Sequence, residues 1–147
     1  SLFVITGNQL SGPLPVSISC MKKLMTLKLY QNKLTGSGSS PVIFCSQMEA
    51  LVHVDLSNNQ LTGSLEYFTT CVKLQRLVLN NNRLEGTIPR DVSKLAELEL
   101  LYLHCNFLEG SIPVEICSLS TMLRLLNLSN NVITGTIPAD IGMYHDL

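Results

Sequence analysis

An asparagine recurs along this chain inside a fixed frame of apolar residues, and that recurrence limits the available folds more than any other feature. The frame asparagines are Asn8, Asn32, Asn59, Asn82, Asn106 and Asn131, spaced by 24, 27, 23, 24 and 25 residues. Five and three residues before them stand the pairs Phe3/Ile5, Leu27/Leu29, Val54/Leu56, Leu77/Leu79, Leu101/Leu103 and Leu126/Leu128. Two residues after them come Leu10, Leu34, Leu61, Leu84, Leu108 and Ile133, and four after come Gly12, Gly36, Gly63, Gly86, Gly110 and Gly135. The alternation ahead of each Asn is that of a short strand with one buried face. The rest of the frame suits neither a helix nor a plain strand. A period of this length, repeated, means stacked supersecondary units that share one core.

The frame reads L-x-x-L-x-L-x-x-N-x-L and resembles the leucine-rich repeat family. The Ile88-Pro89, Ile112-Pro113 and Ile137-Pro138 endings and the period near 24 make it similar to the plant-type class. The resemblance covers essentially the whole chain. It implies an α/β solenoid: a right-handed leucine-rich-repeat superhelix of about six repeats with a parallel inner β-sheet. One strand per repeat is expected, centred near Ile5, Leu29, Leu56, Leu79, Leu103 and Leu128. The class is found in ectodomains of receptor-like kinases and receptor-like proteins, and in inhibitors of cell-wall polygalacturonases. The family's caps are missing from both ends. Residues 1–147 are therefore expected to be one leucine-rich-repeat segment, an internal fragment of a longer array with neighbouring repeats on either side.

The repeats are not uniform. Ile18, Met21 and Leu24 follow Pro15 at three-residue spacing, which predicts a tight helical turn on the outer side. Ser37-Gly38-Ser39-Ser40-Pro41 then replaces the Gly-x-Ile-Pro ending and reads as an outer loop. Glu66 stands where a Pro is expected, and Ile141, Tyr144 and Leu147 begin a seventh repeat.

The frame asparagines are structural in this reading. An amide side chain donates and accepts at once, so a stacked column of them can satisfy the backbone where each strand bends away. Function is instead written in the strand positions between the leucines, which face the inner sheet. Repeats two to four are polar there, with Lys28 beside Asp55 and with Arg76 and Arg83 nearby; repeats five and six are apolar, with Leu100, Tyr102, Phe107, Leu125 and Val132. The expected ligand-binding residues are Tyr30, His53, Arg76, Leu100, Tyr102, His104 and Phe107, where Tyr and Arg are common anchors. The triplet Asn127-Leu128-Ser129 is a sequon, so Asn127 is a candidate glycosylation site.

Composition argues against other classes. Net charge is −1 and charged residues make up 14%, so no basic surplus exists to neutralise nucleic-acid phosphates. No apolar run is long enough to span a membrane, and Ser1–Ile5 already fits a repeat strand rather than a signal peptide. His53, His104 and His145 are scattered, no Ser/His/Asp set assembles, and no glycine-rich phosphate loop occurs. The expectation is neither an enzyme nor a metal or cofactor protein. The five cysteines are Cys20, Cys45, Cys71, Cys105 and Cys117. The resemblance implies a buried free thiol at Cys71, and Cys20 and Cys45 occupy nearby outer positions, which leaves a bridge between them open.

Three functions fit. In a receptor ectodomain at the cell surface, the inner face would bind a protein or peptide ligand. The same face in a secreted protein would block an enzyme, as polygalacturonase inhibitors do. A purely structural array would contribute only length and curvature.

Overall fold

Each frame pair of apolar residues turns one edge of a coil inward, and stacking the coils closes a single core. The computed structural model describes residues 1–36, 45, 47–119 and 121–142. Six short strands, one per coil, make the inner sheet: β1 (Leu2–Val4), β3 (Thr26–Lys28), β5 (His53–Asp55), β7 (Arg76–Val78), β9 (Leu100–Tyr102) and β11 (Leu125–Asn127). They pair in parallel, each with the strands of the coils before and after it. Register is kept in frame throughout: Phe3 lies beside Leu27, Val54 beside Leu77, and Leu101 beside Leu126.

The strands centre on Phe3, Leu27, Val54, Leu77, Leu101 and Leu126, two residues ahead of the expected centres. The second apolar residue of each pair lies beyond the strand, although its amide still bonds to the next coil, as in Leu29 N to Asp55 O at 2.9 Å. The cause is a turn just before each frame Asn. Gly7, Gln31, Asn58, Asn81, Cys105 and Asn130 all have φ between 54° and 64°. This left-handed conformation suits Gly and Asn, and is costlier for Gln31 and Cys105. It pulls the chain out of the extended path sooner than alternation alone suggests.

A second set of strands was not anticipated. The Leu-x-Gly segments after each Asn form β2 (Ser11–Pro13), β4 (Lys33–Thr35), β6 (Thr62–Gly63), β8 (Arg83–Thr87), β10 (Phe107–Gly110) and β12 (Val132–Ile133). β6, β8, β10 and β12 pair as one parallel sheet, β2 pairs with β4, and a bridge between Thr35 and Gln60 links the two groups. Here the register is staggered. Phe107, one residue past its Asn, pairs with Glu85, three past its own, and the same offset joins Glu109 to Val132. These segments are a flank of sheet. Gly86 sits within it at φ 81°, where a side chain is disfavoured. Gly36 is tighter still, since a Cβ there would lie 2.5 Å from the Thr62 carbonyl oxygen.

The return path runs through 3₁₀ turns: Val16–Cys20, Leu65–Thr70, Arg90–Lys94, Val114–Leu119 and Ala139–Gly142. The three-residue spacing of Ile18, Met21 and Leu24 falls on the first of these and its exit. Between sheets and turns lies the core, with Leu27, Leu56, Leu79, Leu84, Leu103 and Leu108 fully enclosed. Burying each such side chain is worth roughly 1.5–3 kcal/mol. The Ser37–Pro41 loop, Tyr144 and Leu147 lie outside the described residues.

The cysteines depart from expectation. Cys71 is no free thiol: it is joined to Cys45 in a disulfide with Cα atoms 4.7 Å apart. Cys20, the other candidate partner for Cys45, is an exposed thiol. Both bonded residues are buried on the outer side. Cys45 belongs to coil three and Cys71 to coil four, so the bridge runs between successive coils. Adjacent positions in the frame do not identify such a diagonal pair.

Candidate ligand-binding face

The asparagine column explains how the inner face is held. Asn82 Nδ2 donates to Leu56 O and Leu79 O, both at 3.0 Å, and its Oδ1 accepts from Leu61 N at 3.0 Å. Asn59 and Asn106 repeat this pattern one coil to either side. Asn32 and Asn131 do the same. Every one of these side chains ties its own coil to the previous one and faces backbone, as read from the sequence. Asn8 differs: it is exposed and donates only to Thr6 O.

With the coils fixed, the inner sheet presents its outward residues in rows that run across the strands. The first row reads Leu2, Thr26, His53, Arg76, Leu100 and Leu125. The second reads Val4, Lys28, Asp55, Val78, Tyr102 and Asn127. Thr6, Tyr30, Ser57, Asn80, His104 and Ser129 follow two residues on, where backbone bonds continue from coil to coil.

The expected ligand residues fall out unevenly on this grid. His53, Arg76 and Leu100 are consecutive in one row, and Tyr102 stands on the same strand as Leu100. Tyr102 and His104 touch edge to face, with ring centroids 5.7 Å apart. His104 Nδ1 is buried and meets no hydrogen-bond partner among the described residues. Tyr30 lies in the third row at coil two, separated from His104 by Ser57 and Asn80, both of which are buried rather than open. Phe107 is not on the inner sheet: it opens β10 on the flank and is 60% exposed. The positions one past each Asn belong to the staggered strands, so their assignment to the inner face is corrected. Tyr102 is half-buried.

The polar end has its own electrostatics. Lys28 neighbours Asp55 across the sheet, as read from sequence. Asp55 is drawn back into its own turn, where its Oδ1 accepts from Ser57 N at 3.1 Å and Ser57 Oγ at 2.7 Å. Burial holds the His53 imidazole below its ordinary pKa, and the neighbouring Arg76 guanidinium lowers it further. His53 is thus a neutral ring at neutral pH, lying between Thr26 and the exposed Arg76 in its row.

Stacked coils with an asparagine ladder between in-frame and staggered sheets define a leucine-rich repeat protein. The model of that family, Leucine Rich Repeat, matches residues 50–71, 73–95, 97–119 and 122–143, and the chain belongs to the family in its plant-type form. Receptor-like protein 39 of Arabidopsis thaliana is 34% identical over 141 residues, covering 93% of this chain. Receptor-like protein 18 of the same plant is 34% identical over 135 residues, covering 91%. The chain spans only 15% and 16% of those two relatives. Among solved structures, a TDR receptor superposes with a TM-score of 0.85 at 36% identity, over 95% of this chain and 24% of that one. The ectodomain of the Arabidopsis receptor kinase HAESA, solved with an IDA peptide hormone ligand, gives 0.88 at 32% identity, over 96% and 23%. No helix among the described residues is long and apolar enough to cross a membrane.

Proposed function

We propose that this chain is the ligand-recognition part of a cell-surface receptor, one stretch of a longer extracellular leucine-rich-repeat array, and that it binds a protein or peptide on its inner sheet. It acts by binding and not by catalysis. The carrying observation is the pair His53 and Arg76, neighbours in one row of the inner sheet with Tyr30 one coil before His53, on a sheet whose backbone is locked by the asparagine ladder. Such a platform presents varied side chains without reorganising, which lowers the cost of binding. Support comes from the receptor-like protein relatives and from the peptide hormone held by the HAESA ectodomain.

The test is a displayed random-peptide library selected on the folded protein. Peptides enriched on the parent should lose binding about tenfold or more on Arg76→Ala with Tyr30→Ala. Lys22→Ala with Lys23→Ala, on the outer side, should leave it unchanged. Retained binding in the inner pair together with loss in the outer pair would place the recognition surface elsewhere.

A further inference from the structure

The apolar end of the inner sheet holds a modification site. Asn127 ends β11, opens the Asn127-Leu128-Ser129 sequon, and pairs in register with Tyr102. Its Oδ1 accepts from Ser129 N at 3.1 Å and from Ser129 Oγ at 2.8 Å. The carboxamide is therefore turned with its oxygen toward the chain. Asn127 Nδ2, the atom a sugar would join, donates to no group among the described residues, and it is not among their buried unpartnered atoms. Asp55 makes the same turn with Ser57 three coils earlier in chemistry that offers no amide. Around Asn127 the sheet is apolar: Leu125 is 50% exposed, and Leu100 and Tyr102 are half-buried. Neighbouring strands lie about 4.8 Å apart, so the first sugar on Asn127 comes within contact of the Tyr102 ring.

We propose that Asn127 carries an N-linked oligosaccharide whose first sugar lies across Tyr102, Leu100 and Leu125, so that carbohydrate covers the apolar end of the inner sheet. This rests on the extracellular reading above. The glycan forms when Asn127 Nδ2 attacks the anomeric carbon of a polyprenyl-diphosphate-linked oligosaccharide. The new N–C bond replaces the sugar–phosphate C–O bond, the polyprenyl diphosphate leaves with the bonding pair, and the amide gives up one proton. An N-acetylhexosamine has an apolar C–H face that matches an aromatic ring, and polar edges that return the surface to water. Exposed apolar side chains on an inner sheet otherwise invite association. Ligand recognition is then confined to the polar end, around Tyr30, His53 and Arg76.

The experiment uses the full-length protein carrying this chain, produced in plant cells. Enzymatic release of N-glycans in heavy-oxygen water converts an occupied Asn127 to a labelled Asp, read by peptide mass spectrometry. Label at Asn127 is expected; secreted protein with bare Asn127 overturns the proposal. Retention of the protein inside the cell would instead sink the extracellular reading, so the two failures are distinct. The seat is tested by trimming the folded glycoprotein under native conditions and titrating an apolar fluorescent dye. Trimming should raise dye binding severalfold, and Leu125→Ser should remove that rise. Unchanged dye binding shows that the sugar stands clear of the sheet and overturns the seat. Peptide binding that appears only after trimming, and is lost in Tyr102→Ala, makes the patch a ligand seat and overturns it too.

Discussion

Asn82 holds two coils together through one side chain, giving protons to carbonyls of both and accepting one from Leu61 N. Removing it orphans the buried Leu61 N–H and leaves the Leu56 and Leu79 carbonyls with only the Asn59 and Asn106 amides as partners, so Asn82→Ala is expected to lose about 1–3 kcal/mol in urea denaturation. Asn8, exposed and with its side chain bonded only within its own turn, supplies the control: Asn8→Ala should change stability by less than about 0.5 kcal/mol. If the two variants melt alike, the ladder is not what joins the coils. His53 gives a pH dependence. Its folded pKa is lowered by burial and then by Arg76, so the unfolded chain binds the proton more readily. Stability contributed by the neutral ring is present above the unfolded value of about 6.5 and is lost as pH falls through the depressed folded value. His53→Gln should flatten the fall in melting temperature on the acid side of about pH 6.5. A parent melting temperature that rises on acidification through this window would reverse the assignment.

At the scale of elements, the inner strands were legible because leucine spacing reports burial directly. Val54, Leu56, Leu77 and Leu79 are all enclosed, as their alternation demands. The flank strands were not legible. Leu84 and Gly86 look the same in a turn as in a strand whose second residue is buried and whose glycine takes φ 81°. Phe107 was misplaced for that reason. The left-handed corner was hidden by its own variety, since Gly7, Gln31, Asn58 and Cys105 share a conformation and no chemistry. The disulfide was illegible too, because its two ends occupy different frame positions. It spans a separation of 26 residues. Cys71→Ser is expected to cost about 2–4 kcal/mol, and thiol reductant should lower the melting point of the parent but not of the variant. Equal sensitivity of both to reductant would mean that the bridge contributes nothing.

Across the whole molecule, the core is continuous from coil to coil and open at its ends. Leu10 is 40% exposed in coil one and Ile137 is 71% exposed in coil six. Residues 1–147 produced alone should therefore sediment with a mass that rises with concentration, and polar capping coils fused to both ends should restore a monomer. A monodisperse uncapped chain at high concentration would show that these surfaces are tolerated by water. The candidate site was half legible at this scale. The sequence named the right columns on the inner sheet, where His53, Arg76 and Leu100 do meet. It could not tell that Ser57 and Asn80 sink between Tyr30 and His104, because burial at the third row depends on how sharply the chain turns beyond it.

The two registers act together like mismatched gear teeth. Inner strands advance from coil to coil with no slip, while flank strands slip by two residues at every step. A slip of two residues is about 6.6 Å along a strand, so the flank strands run obliquely to the stacking direction while the inner strands lie square to it. The bridge from Thr35 to Gln60 keeps that slip across the long 27-residue step, so the extra residues leave the stagger intact. A partner lying across the inner sheet at the polar end consequently meets one side chain of a row at each coil, with no sideways drift. An extended peptide laid along such a row can keep to one column of the frame, whereas the flank offers it no straight row to follow.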